Sequence, residues 1–190
     1  MKKHMVTKRW KILNSEVVFN NDWYRLRKDI VQLPSGVVIN DYFVSELKSV
    51  AMIFAITPER QVIFVRQYRH GVKQVLLELP AGTYNNGDVP EKVASRELFE
   101  ETGYKAPELI FLGRVVGYPT KDSHHIDLFL AKAVKYCGAN YPEETEDIEV
   151  VLIPLRRLLN FISRGDIMVS GTISCIIKAL LHLKKINSKM

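Results

Sequence analysis

Residues 82–104, GTYNNGDVPEKVASRELFEETGY, set three glutamates, Glu97, Glu100 and Glu101, into one helical stretch behind a glycine-containing loop. Both ends of that helix are signalled locally. Asp88 reads as an N-cap, Pro90 stands near the first helical position and Gly103 follows the last, so a helix of about three turns is expected. Glu97 and Glu101 are four residues apart and share a face, while Glu100 lies at its edge. Like charges so spaced repel, and only Arg96 is placed to pair with Glu100 four residues on. A bound cation would remove the conflict. Hard carboxylate oxygens without thiolates select Mg²⁺ or Mn²⁺, and Mg²⁺ is commonly held by one or two carboxylates together with substrate phosphates. By spacing alone, a solvated acidic helix face accounts for the same glutamates equally well.

The wider pattern decides between these two. Gly82, Arg96, Glu97, Leu98, Glu100, Glu101, Gly103 and Tyr104 stand at the spacing of the Nudix signature, so the chain resembles the Nudix hydrolases. One position departs from it: Asp88 stands six residues after Gly82, where the family usually has glutamate. Upstream, Glu78-Leu79-Pro80-Ala81-Gly82 is similar to the ELPAG segment, and Arg66-Gln67-Tyr68-Arg69 to the RQYR strand, of the branch acting on ADP-ribose and nucleoside diphosphate sugars. The resemblance implies a metal held by the Ala81 carbonyl, Glu97 and Glu101 with help from Glu100. It also implies a substrate lying near Glu78 and the RQYR arginines.

Arg66 and Arg69 are three apart in a strand and point to opposite faces, so one of them reaches phosphate. Arg69 is the choice, its planar fork being suited to a diphosphate or a terminal ribose; for Arg66 a surface ion pair is an equal alternative. Pro119, fifteen residues beyond Tyr104, matches members that prefer ADP-ribose. A turn explains a proline in GYPT as readily, and the Ser-Pro-Gly segment of many such enzymes is missing from this loop. The acidic run Glu143 to Asp147 falls where relatives supply a loop glutamate, which implies Glu144 as base on the attacking water and Glu146 as further ligand or second base. Trp23 and Tyr24 either stack on adenine, as an aromatic does in relatives, or pack in a core or dimer contact. His124 and His125, adjacent on an expected strand, point apart and cannot chelate one metal.

Composition agrees with one enzyme domain, or one domain with a short N-terminal extension: 190 residues with 47% hydrophobic content support a real core. No run approaches the ~18 apolar residues of a membrane span, and the amino terminus lacks the apolar segment of a signal peptide, so a cytoplasmic protein is expected. Cys137 and Cys175 have no ligand or CxxC spacing and read as reduced thiols. The net charge of +6 owes much to lysines at both ends, with no nucleic-acid motif among them; solvated tails are expected rather than a nucleic-acid surface.

The first third reads as an antiparallel meander: residues 10–20, WYRLRKDIVQL and VVINDYFVSEL, the last two joined at Leu33-Pro34-Ser35-Gly36. SVAMIFAIT, QVIFVRQYR, ELIFLGRVVG, HIDLFLAKAV and IEVVLIPL supply further strands, and LRRLLNFISRG and TISCIIKALLHLKK two more helices. In the last, Ile173, Ile176, Ile177, Leu180 and Leu181 form the expected apolar stripe. The fold class is α/β (α+β). The resemblance implies an α-β-α sandwich with a mixed sheet over 49–190, preceded by an N-terminal antiparallel β subdomain over 1–48 that crosses to the other subunit of a homodimer. The implied activity is Mg²⁺-dependent hydrolysis of ADP-ribose to AMP and ribose 5-phosphate, or of a related nucleotide sugar such as GDP-mannose. A house-cleaning hydrolase of oxidised nucleoside triphosphates fits the motifs less well. A nucleotide-sugar-sensing module without turnover is the non-enzymatic alternative, but such modules commonly lose the glutamates that this chain keeps.

Overall fold

The first three strands, β1 (Lys11–Asn20), β2 (Arg25–Gln32) and β3 (Val38–Ser45), joined by turns at Asn21 and at Leu33-Pro34-Ser35-Gly36, form a three-stranded antiparallel sheet. The computed structural model describes residues 8–138 and 147–187. Its residues divide into two units, Met1–Leu47 with Tyr118–His124, and Lys48–Gly117 with His125–Met190. In the first unit the β1–β2 turn is held by Asn21 Oδ1, which accepts the Trp23 and Tyr24 amides at 2.9 and 2.7 Å. The β2–β3 turn passes through Gly36 at φ 91°, a conformation natural to glycine. The 118–124 segment docks on β3, where Ser45 donates its amide to the Lys121 carbonyl at 2.7 Å and Ser45's own carbonyl accepts the Ser123 amide at 3.0 Å.

In the second unit β4 (Ser49–Ile56) and β5 (Gln61–Arg69) flank the Pro58 turn; β6 (Gln74–Glu78), β7 (Ala81–Tyr84), α1 (Pro90–Thr102) and β8 (Tyr104–Lys105) follow. Then come β9 (Ile110–Val116), β10 (His125–Lys132), β11 (Lys135–Tyr136), β12 (Ile148–Pro154), a 3-10 turn at Leu155–Arg157, α2 (Leu158–Ser163) and α3 (Ser170–Asn187). The main sheet runs β12-β5-β4-β10-β9, with β4 and β10 parallel and the remaining pairs antiparallel. Because β4 and β10 are covered on both faces, they read as near-continuous apolar runs. One face buries Phe54, Phe64, Leu128 and Leu130 against Cys175, Ile176 and Ala179 of α3; the other buries Ala51, Ile53, Ile63 and Phe129 against Val93, Ala94 and Leu98 of α1. The unit is therefore a helix–sheet–helix sandwich around a mixed sheet.

β4 and β5 share a single rung, Ile56 opposite Val62, and then diverge. Beyond it β5 pairs with β6 and β4 with β7, so residues 78–82 cross the gap between them. The crossing keeps its backbone groups paired: Leu79 donates its amide to Thr172 Oγ1 at 3.2 Å, and the Pro80 carbonyl accepts the Ile53 amide at 3.0 Å.

Three local expectations are corrected. The N-cap of α1 is Val89 with no side-chain cap, and Asp88 instead accepts the Asn85 amide at 2.8 Å, closing the loop before the helix. On α3 the buried stripe runs through Thr172, Cys175, Ile176 and Ala179, while Ile177 and Leu181 face outward at 39% and 54% exposure. A 100° step per residue carries 177 and 181 off the stripe on which 172, 176 and 179 lie. Strand β10 begins at His125, and His124 precedes it.

Candidate active site

The buried stripe of α1 passes through Val93, Ala94, Leu98, Glu101 and Thr102. A carboxylate thus occupies a core position of this helix, and Glu101 is only 3% exposed. Burying a carboxylate is costly unless partners offset the loss of water. One partner is the Ala81 amide, which donates to Glu101 Oε2 at 3.2 Å. One turn earlier, Glu97 lies against Gly82: a Cβ built on Gly82 would fall 2.1 Å from both the Glu97 Cδ and Oε1 atoms. Gly82 is required because that carboxylate occupies the space of a side chain. Glu100 is more exposed, and the Arg96 guanidinium bridges the pair, at 2.6 Å from Glu97 Oε1 and 3.3 Å from Glu100 Oε2.

Two of the glutamates expected to bind metal are therefore brought to β7, one at Ala81 and one at Gly82, with Glu100 beside them on the outer edge. Among the described residues no three His, Cys, Asp or Glu side chains already converge as a preformed metal cage. The donor set that fits is two carboxylates with a backbone carbonyl, and the remaining positions of a Mg²⁺ octahedron are commonly left to water and substrate phosphate. The glycine cradle and the buried carboxylate fit such an ion.

Arg69 and Glu78 share a face of the β5–β6 hairpin, because Arg69 stands opposite Gln74 and Glu78 opposite Val65. Glu78 is buried and accepts from Arg69 Nε at 3.0 Å, with a second bond from Nη2 to the same oxygen. The guanidinium is thereby fixed while Nη1 and the second hydrogen of Nη2 remain able to donate. Arg66 points to the opposite face, as its spacing requires, and forms an exposed ion pair with Glu149 at 2.6 Å. The ion-pair alternative for Arg66 is what this geometry contains.

Pro119 lies in a turn closed by the Lys121 and Asp122 amides on the Tyr118 carbonyl, at 3.0 and 2.9 Å, within the first unit. Trp23 projects from the first unit at 85% exposure, while Tyr24 is tied to Ser45 at 2.6 Å and packs against Phe19. Glu144 and Glu146 lie outside the described residues.

A polar network at the end of β7 escaped the sequence reading. Arg114 on β9 donates to both Asp127 oxygens at 2.7 and 2.8 Å, Tyr84 donates to Asp127 Oδ2 at 2.6 Å, and His125 Nε2 lies 3.1 Å from the Tyr84 hydroxyl. The Arg114 guanidinium holds the Asp127 carboxyl below its ordinary range against burial, which pushes it up; the Tyr84 hydroxyl adds to the lowering. The signal was an aspartate inside the apolar run HIDLFLAK. On the other face, burial pushes the Cys175 thiol up to about 12, which leaves it unreactive.

Comparison with known proteins places this geometry. A NUDIX domain matches residues 46–166, and a nucleoside diphosphate sugar hydrolase N-terminal domain matches residues 10–45. The chain belongs to the Nudix hydrolase family. It is 32% identical over 164 residues to a methanol dehydrogenase activator of Bacillus methanolicus, spanning 86% of this chain and 88% of that one. It is 29% identical over 163 residues to an ADP-ribose pyrophosphatase of Bacillus subtilis (strain 168), spanning 85% and 88%. A crystal structure of an ADP compounds hydrolase shares the fold, with a TM-score of 0.83 at 22% identity over 95% of this chain and 97% of that one.

Proposed function

We propose that this protein hydrolyses the diphosphate bond of ADP-ribose, giving AMP and ribose 5-phosphate, in a reaction that depends on Mg²⁺ or Mn²⁺. The observation that carries the proposal is the pair of α1 carboxylates, Glu101 buried on the core stripe and Glu97 cradled by Gly82, converging on the strand that offers the Ala81 carbonyl. Glu97, Glu101 and that carbonyl would hold the ion, with Glu100 alongside. When bound, the ion supplies charge neutralisation for the diphosphate and lowers the pKa of water. The choice of a nucleoside diphosphate sugar is supported by the N-terminal domain match and by the relative named ADP-ribose pyrophosphatase. GDP-mannose and other nucleotide sugars are the substrates to test beside it.

The chain's own residues then have separable tasks. Arg69, fixed by Glu78, presents its free donors to a phosphate or to the terminal ribose. Glu144 takes the proton of the attacking water, with Glu146 as the alternative. In-line attack at phosphorus needs positioning and charge stabilisation and no covalent protein intermediate. Trp23, exposed in its turn, offers a ring for adenine, and Pro119 shapes the loop that would bear on ADP-ribose preference. We assign Arg66 the ion pair with Glu149 rather than a substrate contact. The protein acts as a homodimer through its N-terminal sheet. It works in the cytoplasm, a compartment in which its free thiols Cys137 and Cys175 stay reduced. No helix among the described residues is long and apolar enough to cross a membrane.

The test is AMP release from ADP-ribose with and without Mg²⁺, beside GDP-mannose, NADH and oxidised dGTP, with Glu97→Gln and Glu101→Gln as controls. ADP-ribose should be cleaved preferentially, only with metal, and in neither variant. Tight binding of these compounds without turnover of any would overturn the enzyme in favour of a sensor.

A further inference from the structure

A second hollow, of about 470 Å³, opens where the β4–β5 turn, the end of β10 and the last turns of α3 meet. Its floor is aliphatic, formed by Ile56, Leu155, Leu180 and Leu183, with no aromatic side chain among the described residues of the lining. Its rim carries three cations, Arg60, Lys132 and Lys184, and no carboxylate among the described residues. None of the three forms an ion pair with a described residue, in contrast to Arg25, Arg27, Arg66, Arg69, Arg96, Arg114 and Arg164, each of which does. Glu59 lines the neighbouring hollow, which shares Arg60, Leu155 and Leu180 with this one.

The walls are tied together by backbone hydrogen bonds. Val134 donates to the Ile56 carbonyl at 3.1 Å, Leu155 to the Arg60 carbonyl at 3.0 Å and Thr57 to the Gln61 carbonyl at 2.9 Å. Two residues of the lining also hold left-handed backbone without being glycine, Arg60 at φ 61° and Ala133 at φ 53°. Such conformations are unfavourable for an arginine or an alanine and tend to be kept where geometry serves a site. Here they hold the Arg60 and Lys132 stretches of backbone on either side of one opening.

We propose that this hollow binds a small soluble anion, a phosphate monoester carrying a short aliphatic group, at a site separate from the α1 glutamates. The three cations meet the phosphate, for which the Arg60 fork is suited, and the leucine and isoleucine floor takes the alkyl portion. The described lining offers aliphatic rather than aromatic contact, which disfavours a nucleobase, since nucleobases stack on aromatic faces. A purely structural role for Lys184, offsetting the negative end of α3, requires neither the floor nor Arg60.

Hexyl phosphate is the probe, titrated into the ¹⁵N-labelled full chain in EDTA, with inorganic phosphate, AMP and hexanol beside it. Saturable shifts are expected at the amides around Arg60, Ala133 and Lys184 and not along α1. Hexyl phosphate should bind about tenfold tighter than inorganic phosphate, because the alkyl chain leaves water. Arg60→Asn, which suits left-handed backbone, should weaken binding about fivefold or more while Tm stays level or rises; Lys132→Gln should weaken it as well. Equal affinity for hexyl and inorganic phosphate would mean electrostatic association only and would overturn the site. So would shifts confined to α1, or an Arg60→Asn protein that binds as well as the parent.

Discussion

A single added methyl at Gly82 should separate metal binding from folding. The Cβ of an alanine there would sit 2.1 Å from the Glu97 carboxylate, yet Gly82 is not among the glycines whose backbone is left-handed. The clash falls on the movable end of a side chain, so Gly82→Ala should fold with nearly unchanged Tm. Its apparent Mg²⁺ requirement in the ADP-ribose assay should rise about tenfold or more, and an unchanged requirement would remove Glu97 from the ion's donors. Glu101→Gln should cost activity on the order of 100-fold or more at saturating Mg²⁺. An intact rate in that variant would mean the buried carboxylate is structural. Much of this was legible at the residue scale. Spacing and motif singled out Glu97 and Glu101, which lie against Gly82 and Ala81 of β7, and strand alternation alone put Arg66 and Arg69 on opposite faces. What spacing could not reveal is that Glu101 lies on the apolar stripe while Glu100 is tied outward by Arg96, because burial depends on which face the sheet covers. The Arg69–Glu78 pair was hidden for a similar reason: it is a cross-strand contact, and β6 was not recognised as a strand.

At the scale of the elements, α1 is set by its ends. Its stop is Gly103 at φ 74°, whose amide returns to the Phe99 carbonyl at 2.8 Å. A Cβ there would also meet the Gly138 carbonyl at 2.2 Å, a backbone atom with little freedom to move. Gly103→Ala should therefore destabilise by about 2 kcal/mol or more, seen as a fall in Tm of roughly 4–8 °C by calorimetry. No loss would mean that the helix end can be rebuilt. The stop was readable as a glycine after the last helical residue and the start as Pro90 at the first helical position; the cap was not, because the Asp88 carboxylate accepts the Asn85 amide instead. Strands β6 and β7 were missed because QVLLE and AGTY are short and interrupted by Leu79-Pro80, and their pairing is set by the divergence of β4 from β5. The end of β7 is fixed by Tyr84 on Asp127, and this gives a pH signature. Asp127 titrates below its ordinary value of 3.8 because Arg114 holds it ionised, so its stabilisation is complete above that value and is lost as pH falls through the folded one. Asp127→Asn should cost about 1–2 kcal/mol at pH 7, a modest figure because Arg114 is half exposed. It should also flatten the decline of Tm below about pH 4. A parallel Tm profile for parent and variant would assign the acid sensitivity to other carboxylates.

At the scale of the whole molecule, the first unit has more apolar surface than a three-stranded sheet can hide. Every residue of β1 is exposed, including Ile12, Leu13, Val17, Val18 and Phe19 at 44–58%. Apolar residues on both faces of an edge strand, with its outer backbone groups unpaired in the sheet, are an association surface. A homodimer with each copy covering the other's β1 accounts for this exposure, and the exposed Trp23 in the turn that follows would be carried with it. The meander itself was readable from its strand-like runs and the Leu33-Pro34-Ser35-Gly36 turn, but exposure of β1 on both faces was not, since sequence alone does not say what covers a strand. Paired substitution Val17→Lys and Phe19→Lys, opposite the consecutive residues Arg27 and Leu26, places a charge on each face of β1 without touching the Arg27–Asp29–Ser15 cluster that ties β1 to β2. Light scattering after gel filtration should give about twice the 21.8 kDa chain mass for the parent and about the chain mass for the variant. If the parent is monomeric, the exposed strand serves some other partner and the dimer is wrong. If the variant is monomeric and still cleaves ADP-ribose at the parental rate, dimerisation stands but the second copy contributes nothing to the site. A monomer with intact metal affinity and a raised KM would place the contribution of the partner in substrate binding, where Trp23→Ala in the dimer should reproduce the KM effect without changing the mass.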